Sequence, residues 1–294
     1  MNKPGIMRLN SQRGLALIEA AIACCVMALL SASLIGLAPL FIETQSARAR
    51  QALADTTQAA ISMLERDLAG ALPESVRMTE TASGFIVELA PLRAVGRYRA
   101  DSALASALPP CPADDPALET ASEEANPLAN DILSFNVHDT CLKTLGELDD
   151  GVNLAGFWLV AANSPGTDFY LSSAASGGSK SKIVSVETHA GESMVIIDAT
   201  RFSSEPSSRQ FSIAGEPRSW VCDLRLGTLS AHGGYAISVE QPLTFSNTPL
   251  LTFSGVSSCS FALEGALARF GIAMKRGSKL ATGGGAVMLS RSPE

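Results

Sequence analysis

An uncharged, apolar run near the N-terminus restricts the fold of this chain more than any other feature. From Ala20 to Ile42 the sequence has 23 residues without a charged side chain. As a helix this run would be about 35 Å long, enough to cross a hydrocarbon core of about 30 Å. Lys3, Arg8 and Arg13 precede it, so the positive-inside rule predicts a cytoplasmic leader over 1–14. We therefore expect a transmembrane segment over about 15–42.

One carboxylate, Glu19, stands at the entrance of the apolar run. A secretory signal peptide with a cleavage site of small residues at Ser31, Ala32 and Ser33 is one alternative for this segment, and an uncleaved anchor is another. In a discarded signal peptide the carboxylate would cost a few kcal/mol of insertion energy and have no later role. Glu19 therefore favours a retained segment whose acid has a partner.

The start of the run resembles the processing site of type IV prepilins in the six residues Gly14, Leu15, Ala16, Leu17, Ile18 and Glu19. In that family a peptidase cuts after the glycine of a short basic leader, the new N-terminus is methylated, and glutamate is the fifth residue of the product. The resemblance implies cleavage between Gly14 and Leu15, N-methylation of Leu15, and an assembly role for Glu19 opposite the amine of a neighbouring subunit. Leu15 and Ala16 depart from the Phe and Thr that are usual at the first two positions.

Shorter stretches extend the resemblance to minor pilins of the mannose-sensitive haemagglutinin pilus system, of the MshO type. That type is related to J-type minor pseudopilins of type II secretion and to PilW-like minor pilins. The stretches are 61–77, 96–99, 209–222 and 256–274. The resemblance implies a minor pilin that helps to initiate a type IV pilus near its tip. Its partners would be the prepilin peptidase, other minor and major pilins, the membrane and the inner-membrane assembly platform.

The helix is expected to continue past the apolar run and to end near Pro73. Apolar residues recur there at three- and four-residue spacing: Leu53, Ala60, Ile61, Leu64, Leu68 and Leu72. This stripe is consistent with packing on the following domain, on sister helices, or on both. We predict one helix over 15–72, of which about 15–42 is transmembrane and the rest periplasmic.

After Pro73 the helical period disappears and short β-rich runs alternate with Gly, Pro, Ser and Asn, which predicts antiparallel strands. The expected fold is α+β, a long N-terminal transmembrane and assembly helix followed by an antiparallel β-rich, pilin-like head over 73–294. The segment 100–130 is expected to be a loop excursion. The predicted strands are 84–89, 131–137, 157–161, 182–187, 193–199, 209–213, 220–226, 235–240, 250–253, 257–263, 270–275 and 286–290.

Six cysteines divide into two groups. Cys24 and Cys25 lie in the apolar run and are interpreted as small apolar residues. The other four have spacings of 30 and 37 residues that fit no zinc or redox motif, which predicts disulfides in an oxidising compartment: Cys111, Cys141, Cys222 and Cys259. Four cysteines allow three connectivities. We favour Cys111–Cys141 and Cys222–Cys259, because each pair lies within one local segment.

The net charge and the sequence motifs disfavour several classes of function. The net charge of −7 disfavours sequence-independent nucleic-acid binding, which needs clustered Lys and Arg. His138, His189 and His232 fit no metal motif and are expected at the surface or at strand ends. The glycines 283–285 lack the Lys and Ser or Thr of a phosphate loop, so a hairpin or loop is expected. Asp149–Asp150 could ligate calcium but fit a turn better. We predict no catalytic residue, no metal site and no cofactor.

The leading hypothesis is thus a minor pilin or pseudopilin that is not an enzyme. It would sit in the inner membrane as a single-pass protein with its head in the periplasm, and then near the tip of a pilus. The alternatives are a tip adhesin or ligand-binding module that touches a surface or carbohydrate through loops such as 100–130, and a minor pseudopilin of type II secretion. A periplasmic enzyme with an uncleaved anchor is a further alternative.

Overall fold

The chain divides into two compact units, 1–53 and 54–294. A computed structural model describes residues 12–99, 106, 108–111, 133, 135, 138–148, 153–161, 168–171, 178–202 and 208–289, apart from the side chains of 12–17 and 32–43. Most of the predicted loop excursion 100–130 and the Asp149–Asp150 turn lie outside the described residues.

One α-helix, α1, extends from Gln12 to Ala69. These bounds differ by three residues at each end from the predicted 15–72. The helix ends before Pro73 because Ala71 pairs with Pro91 in an isolated antiparallel bridge and Leu72 N–H donates to the Ala90 carbonyl at 2.7 Å. In the second unit the predicted apolar stripe is buried, at Ala60, Ile61, Leu64, Leu68 and Leu72.

The predicted fold class, α+β built on a transmembrane helix, is wrong. The described chain is mainly β, with fourteen strands in three antiparallel sheets. Among its described residues, no helix contains an apolar stretch long enough to cross a membrane.

The strands of the described residues form three sheets in which all neighbours are antiparallel. The strands are β1 (Arg77–Thr81), β2 (Gly84–Leu89), β3 (Leu92–Arg97), β4 (Asp139–Lys143), β5 (Trp158–Val160), β6 (Lys180–His189), β7 (Glu192–Thr200), β8 (Gln210–Ala214), β9 (Arg218–Asp223), β10 (Thr228–His232), β11 (Leu251–Ser254), β12 (Val256–Glu264), β13 (Leu267–Arg276) and β14 (Lys279–Met288). The first sheet has the order β1-β2-β9-β10-β11, the second β12-β13-β14, and the third β3-β8-β5-β6-β7-β4. A 3₁₀ turn covers Asp168–Tyr170.

Ten of the predicted strands overlap strands of the structure, and the predicted strand 235–240 is wrong. In that segment backbone carbonyls are bound by a side chain instead of a neighbouring strand. The Arg77 guanidinium donates to the carbonyls of Ser238 at 2.9 Å and Val239 at 2.5 Å. The sequence missed four strands, β1, β3, β4 and β10. The predicted strand 131–137 lies mostly outside the described residues.

The two faces of the first sheet have different neighbours. Val87 and Trp220 are cross-strand partners on one face, and Glu88 and Ser219 are partners on the other, as strand alternation requires. On the first face, the Trp220 indole N–H donates to Asp67 of α1 at 2.9 Å. The last turns of α1 therefore lie on this face.

The glycines 283–285, expected in a hairpin or loop, lie instead in the middle of β14. Gly283 and Gly285 face α1, which comes too close to leave room for a side chain at either position. A Cβ on Gly283 would lie 2.5 Å from the Cδ1 of Ile61, and a Cβ on Gly285 would collide with the Glu65 carboxylate. The glycine run therefore serves helix packing rather than a turn.

Both disulfides of the favoured pairing are present. Cys111 and Cys141 have their Cα atoms 5.8 Å apart, and Cys222 and Cys259 have theirs 6.7 Å apart. The first holds the segment that enters the 100–130 region to β4, and the second joins the first sheet to the second. Sequence separations of 30 and 37 residues correspond to about 4 kcal/mol of loop-closure stabilisation each.

We predict that Gly284→Ala destabilises the protein more than Gly283→Ala. A Cβ at 284 would lie 2.6 Å from the Phe270 carbonyl oxygen, which is backbone and fixed by strand pairing, whereas Ile61 can rotate away from a Cβ at 283. Such overpacking costs about 1–3 kcal/mol of unfolding free energy. Urea unfolding of both variants measures it, and a Gly284→Ala variant as stable as wild type would contradict the packing described.

Candidate functional site

The predicted processing residues lie in the first unit, at the start of α1. Gly14 and Leu15 fall where the structure describes the backbone alone, and it is helical there. Glu19 is exposed and is the one charged residue between 18 and 31. Nothing in the described residues brings an amine to its carboxylate, so its assembly role stays a prediction.

The side chains around Glu19 form an exposed apolar surface on α1. Large hydrophobic residues there are exposed, including Ile18 at 62% and Leu29 at 70%. Cys24 and Cys25, expected to act as small apolar residues, are exposed free thiols. Exposure of such an apolar surface to water is unfavourable, and exposed patches of this kind are typical of interaction sites.

A second candidate site is a groove of about 610 Å³ in the 54–294 unit, within the usual size range of ligand sites. One wall comes from the third sheet, through Trp158, Lys180 and Lys182. The opposite wall comes from the irregular segment 233–250. The remaining lining residues are Gly156, Tyr170, Leu171, Glu216, Tyr235, Ala236, Ile237 and Val239.

Arg77 holds the wall formed by the 233–250 segment. Its guanidinium lies 3.7 Å from the centroid of the Tyr170 ring, and its Nε donates to the Glu88 carboxylate at 2.6 Å. The same guanidinium binds the two carbonyls of the segment at Ser238 and Val239. One cation therefore connects β1, β2, the 3₁₀ turn and the wall of the groove.

Glu88 is the buried centre of this network, with no solvent exposure. The Tyr235 hydroxyl donates to its Oε1 at 3.2 Å and lies 2.6 Å from the Ser219 hydroxyl. Gln241 extends the attachment, because its Nε2 donates to the Ile86 carbonyl at 3.0 Å. The 233–250 segment is thus fastened to the second face of the first sheet by side chains rather than by strand pairing.

Burial shifts the acid–base behaviour of these groups. Burial raises the pKa of the Glu88 carboxyl above its ordinary value, and the hydrogen bond and charge of Arg77 act in the opposite direction without cancelling it. Burial also raises the pKa of the Tyr170 and Tyr235 hydroxyls well above their ordinary range. Both tyrosines are therefore neutral hydrogen-bond donors at physiological pH.

The lysines give the groove a basic wall opposite an acid. Lys180 is buried, its ammonium donates to the Leu171 carbonyl, and it lies 5.7 Å from the centroid of the Trp158 ring. Lys182 and Glu216 are exposed. Cations, one carboxylate and an aromatic surface together suit the binding of a polar ligand with an apolar face.

The histidines occupy strand ends, as expected, but one of them is not at the surface. His189 and His232 end β6 and β10, and His138 immediately precedes β4. His232 is buried, stacked on Phe245 with ring centroids 4.5 Å apart, and burial lowers its pKa. Within the described ranges, no three His, Cys, Asp or Glu residues stand close enough to hold a metal ion.

Sequence reasoning missed the residues that build the groove wall. Arg77 and Val239 are separated by 162 positions, and no local pattern connects them. The sequence did contain one signal, the charged residue Glu88 within the short β-rich run 84–89. A carboxylate on a buried strand requires a cationic partner.

We predict that Glu88 makes the stability of the protein pH-dependent. Because its pKa is higher in the folded than in the unfolded protein, this group stabilises the fold below its ordinary value of 4.5, and that contribution is lost as the pH rises through the folded pKa. The stability of wild type relative to Glu88→Gln should therefore fall as the pH rises above about 4.5, as measured by urea unfolding. Glu80→Gln removes an exposed carboxylate from the same sheet and is the control. A wild-type advantage that does not change with pH would contradict the assignment.

Comparison with known proteins gives no relative for this chain: no family model, no curated protein and no solved structure matches it. The pilin resemblance therefore rests on the residues themselves, above all on the spacing of Gly14 and Glu19. Fold similarity adds no argument for or against it.

Proposed function

We propose that this protein is a minor pilin or pseudopilin, a subunit of a pilus-like filament whose leader is cleaved between Gly14 and Leu15. The observation that carries the proposal is the register of the basic leader, Gly14 and Glu19. Cleavage would create an ammonium group four residues before Glu19. A carboxylate among apolar side chains gains most from an amine in such a setting, where the local dielectric is low.

The apolar surface of 18–31 supports the proposal. Its side chains are exposed and, apart from Glu19, uncharged. Helices of this composition are covered by other apolar surfaces, and in a filament those are the equivalent helices of neighbouring subunits. Because this apolar surface carries a single carboxylate, a neighbouring subunit has to place its amine opposite that one position. The pairing would fix the axial register of helix packing.

The two disulfides support export of the 54–294 unit from the cytoplasm. Disulfides persist in oxidising compartments and are rare where thiols are kept reduced. The cysteines of that unit are paired, whereas Cys24 and Cys25 are free. A periplasmic location of the β-rich unit is consistent with this distribution.

The mature protein is expected to begin at Leu15 and to carry one N-methyl group. N-terminal sequencing and intact-mass measurement of protein purified from cells with a prepilin peptidase test this directly. Protein from cells without the peptidase is the control and should retain Met1. Detection of Met1 on the protein from peptidase-positive cells would refute the proposal.

Glu19→Ala is expected to leave cleavage largely intact and to reduce incorporation into filaments about tenfold or more, because a charge-assisted contact between subunits is worth about 1.5–3 kcal/mol. The amounts of the variant in sheared filaments and in whole cells measure incorporation. Glu19→Asp keeps the charge and should retain part of the incorporation. Wild-type amounts of Glu19→Ala in the filaments would show that this carboxylate has no assembly role.

A further inference from the structure

β14 is the outermost strand of the second sheet and pairs with β13 along its whole length, Lys279–Met288, without a bulge. Its side chains alternate between half-buried and exposed. The exposed set includes Leu280 at 61% and Met288 at 74%. Within the described residues no strand pairs with the other side of β14. A ten-residue strand thus ends its sheet with an unpaired edge.

The other edge strands of the three sheets carry features that discourage further pairing. β3, β4 and β12 contain bulges, and β4 and β12 are also tied down by Cys141 and Cys259. β1 carries Arg77 and Glu80, and β11 has four residues. β14 has none of these features, since its single charge, Lys279, is its first residue. Edge strands of monomeric proteins are normally protected by such devices.

The backbone in the centre of β14 is accessible. Gly284 is an exposed residue, and because it has no side chain, nothing at this position shields the backbone of the strand. The contacts of α1 with this strand are on a face of the sheet and not at its edge, because Ile61 and Glu65 approach Gly283 and Gly285 from the inner face. An incoming strand would therefore meet uncovered N–H and C=O groups.

The sequence of β14 is complementary to itself when two copies run antiparallel with Gly284 opposite Gly284. In this register Leu280 of one copy is the direct neighbour of Met288 of the other, on the same exposed face. Thr282 then pairs with Ala286, and each Lys279 pairs with an uncharged Leu289. The register covers the two exposed large apolar side chains of the strand and brings no like charges together.

We propose that the β-rich units of two copies of this chain associate through β14, forming one continuous six-stranded antiparallel sheet with the twofold axis at Gly284. The contact is isologous, so the same edge serves both copies and closes on itself. It is a case of strand addition, in which main-chain hydrogen bonds supply affinity and alternate side chains fix the register. The proposal goes beyond the filament function and does not depend on processing at Gly14.

Disulfide cross-linking tests the register. The full chain, with Cys24→Ser and Cys25→Ser and both native disulfides retained, carries Leu280→Cys together with Met288→Cys. The two new cysteines lie about 27 Å apart in one copy and cannot bridge internally, whereas they lie about 4.5–5.5 Å apart, by Cα, across the proposed dimer. We expect a covalent dimer on non-reducing gels that disappears with reductant.

Leu280→Cys alone and Met288→Cys alone are the matched controls. In the Gly284-centred register position 280 lies opposite position 288, so a cysteine at only one of them has no cysteine opposite it in the other copy. Both single variants should therefore stay monomeric on the gel. A double variant that cross-links no more than the single variants would overturn the proposal. Equal cross-linking of all three would overturn it too, because it would report unspecific collisions.

Charge pairing provides a second measurement that leaves the backbone unchanged. Leu280→Lys with Met288→Lys should weaken association in detergent solution about fivefold, because it places two like-charge pairs across the contact. Leu280→Lys with Met288→Glu should restore it, since each pair then has opposite charges. Equal association of the two variants in sedimentation experiments would contradict the register.

Discussion

The close approach of α1 to the glycine run of β14 is the constraint on which the rest of the 54–294 unit depends. Helix and strand can approach this closely only because Gly283 and Gly285 have no side chains. On its other flank the helix uses Asp67, which accepts hydrogen bonds from Trp220 at 2.9 Å and from Arg218 at 2.8 Å. One helix therefore contacts both the first and the second sheet, and the disulfide Cys222–Cys259 joins the same two sheets covalently.

The opposite face of the first sheet is organised around a charge instead of apolar contacts. Glu88 has no access to water, and its burial is offset by Arg77 and by the Tyr235 hydroxyl, which is itself hydrogen-bonded to Ser219. Removal of one member of such a network leaves the others buried without partners. The free-energy cost of those unpaired groups exceeds the net stabilisation that the complete network provides. The 233–250 segment and the groove wall are therefore specified by a polar network that has to be complete.

The sequence contained most of the local information about this fold and little of the long-range information. The stripe Ala60, Ile61, Leu64 and Leu68, ten strands and the disulfide pairing followed from periodicity, turn residues and spacing. The glycine run was assigned to a loop because its reason, a helix more than 200 positions earlier, leaves no mark in the neighbouring residues. The strand expected over 235–240 failed for a related reason, since a guanidinium at position 77 occupies the carbonyls that a ladder would use. The expected transmembrane helix and the fold class built on it were wrong, because among the described residues no helix has an apolar stretch long enough to cross a membrane.

The two units leave chemically different surfaces uncovered, and each restricts its partner in a different way. The surface of 18–31 consists of side chains, so in the proposed filament it would pack against an apolar helix, with Glu19 to set the register. The edge of β14 consists of peptide groups, so it accepts an extended strand and takes its register from alternate side chains. Because the two surfaces differ in kind, a partner that satisfies one does not satisfy the other. A chain that presents both can therefore make two contacts independently, one between helices and one between sheets.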